Sequence, residues 1–221
     1  MYASDETSYQ ILDALALETG ADKSSNYHNY TQVYAPYFSS LRDKPIKFLE
    51  IGIYKGASVQ LWERYFKNAD LHFIDISLAL VEYSSPRSHY HVVDQESARD
   101  LEQFIQATGG EFDVIIDDGG HTMRQQITSF CTLFPHFKSG GMYIVEDLHT
   151  SYWSGWGQEL SSVTMVDFLK GLVDDINAVG ARSGRASHLA VDPSLRSELT
   201  PYQESILSIH FYDSVAVIIK R

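Results

Sequence analysis

Between residues 46 and 145 the chain alternates two patterns. Apolar runs at 46–53, 71–76, 90–93, 112–116 and 142–145 are short enough for strands buried on both faces. Between them, apolar positions recur with the helical period. One helix is predicted from near Ala57. A second starts near Ser97, with Leu101, Phe104 and Ile105 on one face and Gly109 and Gly110 ending it. A third starts near Thr122, with Ile127, Phe130, Cys131 and Phe134 aligned ahead of Pro135. The alternation predicts an α/β sheet with helices on both faces. Further on, Met165, Leu169, Leu172, Val173 and Ile176 mark another helix, and the polar stretch 180–200, rich in Ser, Arg and Gly, reads as a surface loop or lid. Residues 206–211 and 215–219, joined by a tight turn at Tyr212, Asp213 and Ser214, predict an antiparallel hairpin. Upstream, residues 1–45 form a cap segment. It holds a short helix with Ile11, Leu12 and Leu15 on one face and Gly20 as its C-terminal cap, then a stretch, 26–38, too aromatic for a linker and too irregular for a strand, which should fold over something.

Five strands with crossover helices and a terminal hairpin make a seven-stranded, mostly parallel sheet. This is the layout of the Rossmann-like class I methyltransferase fold, whereas dinucleotide dehydrogenases continue with parallel units. No break in composition divides the 221 residues, so a single domain is expected. A net charge of −12 and an isoelectric point near 5.1 argue against a nucleic-acid partner, which is gripped by clustered Lys and Arg, and favour small-molecule work. The fourteen Tyr, eleven Phe and three Trp suit an apolar cleft as well as a core and do not decide between them. The one cysteine, Cys131, has no disulfide partner in the chain and sits at an apolar helix position, which reads as a buried thiol in a reducing compartment. No run of eighteen apolar residues occurs and the start does not resemble a leader, so the expected location is cytoplasmic, away from membranes.

The first strand enters a turn, Glu50, Ile51, Gly52, Ile53, Tyr54, Lys55, Gly56, Ala57, Ser58, with two glycines before a helix. Glycine lets backbone approach a ligand closely, and the helix start offers free N–H groups. At the carboxyl end of the first strand this is the usual ligand crevice. Tyr54 stands where a dinucleotide fingerprint wants glycine; it crowds a pyrophosphate but leaves room for a nucleoside carrying a carboxylate. Glu50, Gly52, Tyr54 and Ser58 are therefore candidate cofactor contacts. Asp75, ending the second strand, has two acceptor oxygens to match two ribose hydroxyls. Asp94 and Gln95, after the third, are placed to meet an adenine edge or to lie in a plain solvated loop.

The fourth strand delivers Asp117, Asp118, Gly119, Gly120 and His121 together, and the fifth ends in Glu146 and Asp147. Charges at a buried strand end need solvent, a partner or a cation. Neighbouring strands bring these acids together, and oxygen ligands without cysteine point to magnesium, with manganese or calcium as alternatives. Asp118, Glu146 and Asp147 are the candidate ligands. Asp117 is read chiefly as a helix cap or loop brace and is also kept with the cofactor group. Histidine exchanges protons near neutral pH, so His121 is the candidate general base. His149 can orient a ligand from behind the acids.

Several motifs together resemble the metal-dependent sugar O-methyltransferases of macrolide and related antibiotic pathways, the mycinamicin type. They are Asp22-Lys23 with His28 and Tyr30; Leu49-Glu50-Ile51-Gly52 with Lys55-Gly56; Ile115 through His121; Leu133-Phe134-Pro135; and Val145 through Tyr152. The resemblance implies S-adenosylmethionine around Glu50, Gly52 and Asp75, magnesium on Asp118, Glu146 and Asp147, His121 as base, and an acceptor with vicinal oxygens such as a sugar. Two departures stand out. Gly120 replaces an expected Ser, and at this length the N-terminal oligomerisation domain of some members is not expected, which leaves a homo-oligomer as an open expectation. Two other readings remain at this point: a nicotinamide-dependent oxidoreductase on a similar sheet, and a non-catalytic cofactor-binding protein whose acids are surface charge.

Overall fold

The computed structural model describes residues 3–156, 163–184, 188 and 191–221. Its packing resolves into two compact units, Met1–Asp94 and Gln95–Arg221. In the first lie α1 (Ala3–Thr19), α2 (Tyr30–Phe38), β1 (Lys47–Ile51), α3 (Ala57–Tyr65), β2 (Asp70–Asp75) and β3 (Ser88–Val92). The second contains α4 (Ala98–Thr108), β4 (Val114–Asp117), α5 (Met123–Leu133), β5 (Met142–Val145), α6 (Met165–Ser183), α7 (Pro193–Arg196), α8 (Pro201–Ser205), β6 (Ile206–Phe211) and β7 (Ala216–Lys220). The strand order is β3-β2-β1-β4-β5-β7-β6 in one seven-stranded sheet. The pairs β1–β2, β2–β3 and β4–β5 are parallel, and β7 is antiparallel to both β5 and β6. This is the class I methyltransferase arrangement the sequence predicts.

The first unit is held by an aromatic cluster. Trp62 of α3 is fully buried, with Tyr34 and Phe38 of α2, Phe48 of β1 and Phe66 at ring-centroid distances of 5.8, 5.7, 5.4 and 5.9 Å. The stretch 26–38 is thus largely helical. Tyr30, Tyr34 and Phe38 recur every four residues and all are buried, but Pro36 inside the last turn masks the period. At the sheet edge, β3 starts earlier than its apolar signal, because His89 and His91 alternate with Tyr90 on a strand covered on fewer sides.

In the second unit, α4 and α5 begin and end as their caps predict. Ser97 accepts from the Asp100 N–H, Thr122 and Gln125 form a reciprocal capping box, and Gly109 closes α4 in the left-handed region. The stretch 180–200 is less of a loop than its composition suggests. Helix α6 runs on to Ser183, α7 lies inside the stretch, and residues 185–187 and 189–190 fall outside the described residues. Cys131 is half-buried rather than buried. Among the described residues no helix is long and apolar enough to cross a membrane.

Candidate active site

In the first unit Glu50 is fully buried at the end of β1. It accepts hydrogen bonds from Ser58 Oγ (2.7 Å) and Trp62 Nε1 (3.0 Å), and Lys23 Nζ, also fully buried, lies 3.5 Å from it. Ser58 is therefore a partner of Glu50. Lys23 was visible in the sequence only as part of a family-like motif; its structural task is to neutralise a buried carboxylate. Asp75, at the end of β2, accepts from the backbone N–H groups of Ile53 (2.8 Å) and Tyr54 (3.2 Å) with one oxygen and from Ser77 N–H with the other. A carboxylate has about four acceptor positions. Asp75 is thus first a clamp on the glycine turn, and taking two ribose hydroxyls as well requires one backbone bond to yield. Gly52 N–H is tied to Ile74 O at 2.8 Å, and the side chain of Tyr54, at a φ of 46°, stands exposed above the turn.

Gly56 starts α3 at a φ of 92°, where an added Cβ would sit 2.8 Å from the carbonyl oxygen of Tyr83. Gly56→Ala is expected to destabilise the protein by about 1–3 kcal/mol through backbone strain and to weaken any ligand held by this turn. Chemical denaturation checks the first, and a midpoint unchanged from the parent chain would show that the turn relaxes.

In the second unit the residues after β4 divide their labour. Asp117 is fully buried and serves as the brace. Its oxygens accept from Ser129 Oγ, Tyr143 OH (2.9 Å) and Gln95 Nε2 (2.5 Å). Burial raises its pKa to about 6, against the lowering effect of these donors. Gln95, expected at an adenine edge, is 6% exposed. Its carbonyl accepts from Gly120 N–H (3.0 Å) while its amide holds Asp117, so it shapes the Gly119-Gly120 loop instead. The other expectation for Asp117, a helix cap, is met by Thr122. Asp94, the last residue of the first unit, is half-buried.

Asp118, His121 and Asp147 converge. One ligand atom of each lies within 4.8 Å of the others, and His121 Nε2 stands 3.8 Å from Asp118 Oδ1 and 3.4 Å from Asp147 Oδ2. The side chains are 15–19% exposed, open enough for a ligand. His121 Nδ1 is buried without a hydrogen-bond partner among the described residues, so the ring is oriented through Nε2 and by Trp156, whose ring lies 6.1 Å away. Both His121 (φ 56°) and Asp147 (φ 55°) occupy the left-handed region, a conformation non-glycine residues adopt at a cost. Thr150 holds them there. Its hydroxyl proton is shared between His121 O (3.0 Å) and Asp147 O (2.8 Å), a task the sequence did not signal. Glu146 is 2% exposed and lies outside the group of three, its backbone carbonyl accepting from Gln126 Nε2 at 2.9 Å. His149 is aimed at the hairpin turn, with Nδ1 3.1 Å from Ser214 Oγ and its ring against Trp153.

Two carboxylates and an imidazole on one loop pair fit an oxygen-preferring divalent cation with a base beside it. The sheet order matches that of methyltransferase-type folds, and residues 49–148 match a family described as a methyltransferase domain. More particularly, the chain is similar to sugar O-methyltransferases of antibiotic biosynthesis, as its motifs suggested. It is 34% identical over 230 aligned positions to the 8-demethyl-8-alpha-L-rhamnosyl tetracenomycin-C 2'-O-methyltransferase of Streptomyces olivaceus, covering 99% of this chain and 57% of that one. It is 35% identical to the L-olivosyl-oleandolide 3-O-methyltransferase of Streptomyces antibioticus, covering 80% and 48%. The solved MycE methyltransferase from the mycinamycin biosynthetic pathway, in complex with Mg, SAH and mycinamycin VI, superposes with a TM-score of 0.77 at 29% identity, covering 95% of this chain and 54% of that one. The chain thus spans about half the length of the curated relatives it matches.

Proposed function

We propose that this chain is an S-adenosylmethionine-dependent, divalent-metal-dependent O-methyltransferase acting on a hydroxyl of a sugar unit in a glycosylated natural product. The observation that carries the reading is the convergence of Asp118, His121 and Asp147 on the loops after β4 and β5, with Asp117 braced by Gln95 at the end of β4, and the similar proteins support the acceptor class. Glu50, Gly52 and Asp75 hold the adenosyl ligand from the first unit. Asp118, Glu146 and Asp147 hold the cation; magnesium suits their hard oxygens best. When bound, S-adenosylmethionine supplies a methyl group on a positively charged sulfur, and the cation supplies charge that makes a neighbouring hydroxyl a better acid.

His121 does the proton work. Its Nε2 accepts the hydroxyl proton as the acceptor oxygen forms its bond to the methyl carbon and the carbon–sulfur bond breaks, leaving a neutral thioether. The imidazolium so formed stands between two carboxylates at 3.4 and 3.8 Å. The indole of Trp156 and the side chains of Asp118 and Asp147 fix where the acceptor oxygen can sit, and alignment supplies most of the remaining rate.

Calorimetry tests the reading. S-adenosylmethionine or S-adenosylhomocysteine titrated into metal-stripped protein is expected to bind, whereas NADH is not. A magnesium heat is expected in the parent chain and none in Asp118→Ala. Binding of NADH alone, or a magnesium heat indifferent to Asp118, would sink it.

A further inference from the structure

A second cluster of ligating side chains lies in the first unit, remote in the sequence from the acids described above. Strands β2 and β3 run parallel with His72 opposite His89. Because side chains alternate along a strand, Asp70 and His72 share one face with His89 and His91. Asp70 bridges two of them, its Oδ2 3.3 Å from His72 Nε2 and its Oδ1 3.2 Å from His89 Nε2. The rings of His72 and His89 stack at 4.8 Å, and His72 Nδ1 lies 3.1 Å from His91 Nε2. One ligand atom from each of Asp70, His72 and His89 falls within 4.8 Å of the other two.

We infer that Asp70, His72 and His89 form a transition-metal site of the zinc class, with His91 fixing the tautomer of His72. Nitrogen ligands at about 2.0–2.1 Å around a tetrahedral ion stand roughly 3.3 Å apart, close to the spacings from Asp70 to each histidine. Two imidazoles and a carboxylate select Zn²⁺, Co²⁺, Ni²⁺ or Cu²⁺ over Mg²⁺, whose preference is for oxygen. His72 offers Nε2 to the ion only if its proton sits on Nδ1, and His91 Nε2 is placed to accept that proton. Metal-bound histidines characteristically have such a partner. Asp70 is at the amino end of β2 and Asp75 at its carboxyl end, about 16 Å away by strand rise. The site thus lies away from the ligand-binding turn and ties the edge strand β3 to β2, with His89 half-exposed at the entrance.

The test is a Co²⁺ titration of the full chain in excess Mg²⁺, followed by the visible ligand-field bands. One Co²⁺ is expected to bind in the parent chain and in Asp118→Ala. The bands are expected to disappear in His89→Ala and in Asp70→Asn, both changes at side chains more than half exposed. His91→Ala is expected to weaken binding by about 10–100-fold. Circular dichroism establishes that each variant is folded. No Co²⁺ bound by the parent chain, bands unchanged in His89→Ala and Asp70→Asn, or bands lost in Asp118→Ala would each overturn the site.

Discussion

Replacing His121 is expected to lower turnover by about 10²–10⁴-fold while the affinity for S-adenosylhomocysteine stays put, because a positioned base contributes on that scale and does nothing for ground-state binding. The choice of substitution matters. At a φ of 56° an alanine adds backbone strain, whereas asparagine accepts the left-handed region with little cost. His121→Asn therefore removes the base and keeps the loop. If both variants lose turnover equally, proton removal is the cause. If asparagine works as well as histidine and only alanine fails, the ring is not the base and the loop geometry carried the effect.

The other large effect is expected at Lys23. Its ammonium and the Glu50 carboxylate are both fully buried, 3.5 Å apart, with Asp22 3.9 Å from the same nitrogen. Lys23→Met leaves Glu50 charged without its counter-ion, and losing one partner of a buried pair costs about 3–5 kcal/mol. Lys23→Met with Glu50→Gln should recover a large part of that loss, since glutamine still accepts from Ser58 or Trp62 without a buried charge. Denaturant midpoints of the two single variants and the double variant measure the coupling. A Lys23→Met chain within about 1 kcal/mol of the parent would mean that the pair is neutralised by other means.

Strand positions were legible where burial on both faces forces a continuous apolar run, as in β1, β4 and β5. Legibility fails where that force is absent: β3 at the edge carries His89 and His91, and α2 carries a proline within its helical period. At the site, acids placed after apolar strands announced themselves by their desolvation cost, and adjacent strand ends put Asp118 and Asp147 together with His121 beside them, whereas Glu146, expected among the ligands, lies outside that group. The tasks of the uncharged polar residues did not. Gln95 reaches Asp117 and Gly120, and Thr150 reaches His121, across 22 to 29 positions of sequence. A one-dimensional pattern has no mark for a partner that only the fold selects. Gly120 shows the reverse case. An added Cβ would meet the amide of Gln125, the residue that closes the α5 capping box, so the glycine leaves that side chain room beside the loop.

The single Thr150 proton shared between two carbonyls makes the loop after β4 and the loop after β5 one mechanical part. Exchanging one loop alone would carry His121 and Asp118 out of register with Asp147. The transplantable unit is the pair, Asp118 to Thr122 together with Glu146 to Thr150, moved with the threonine that binds them.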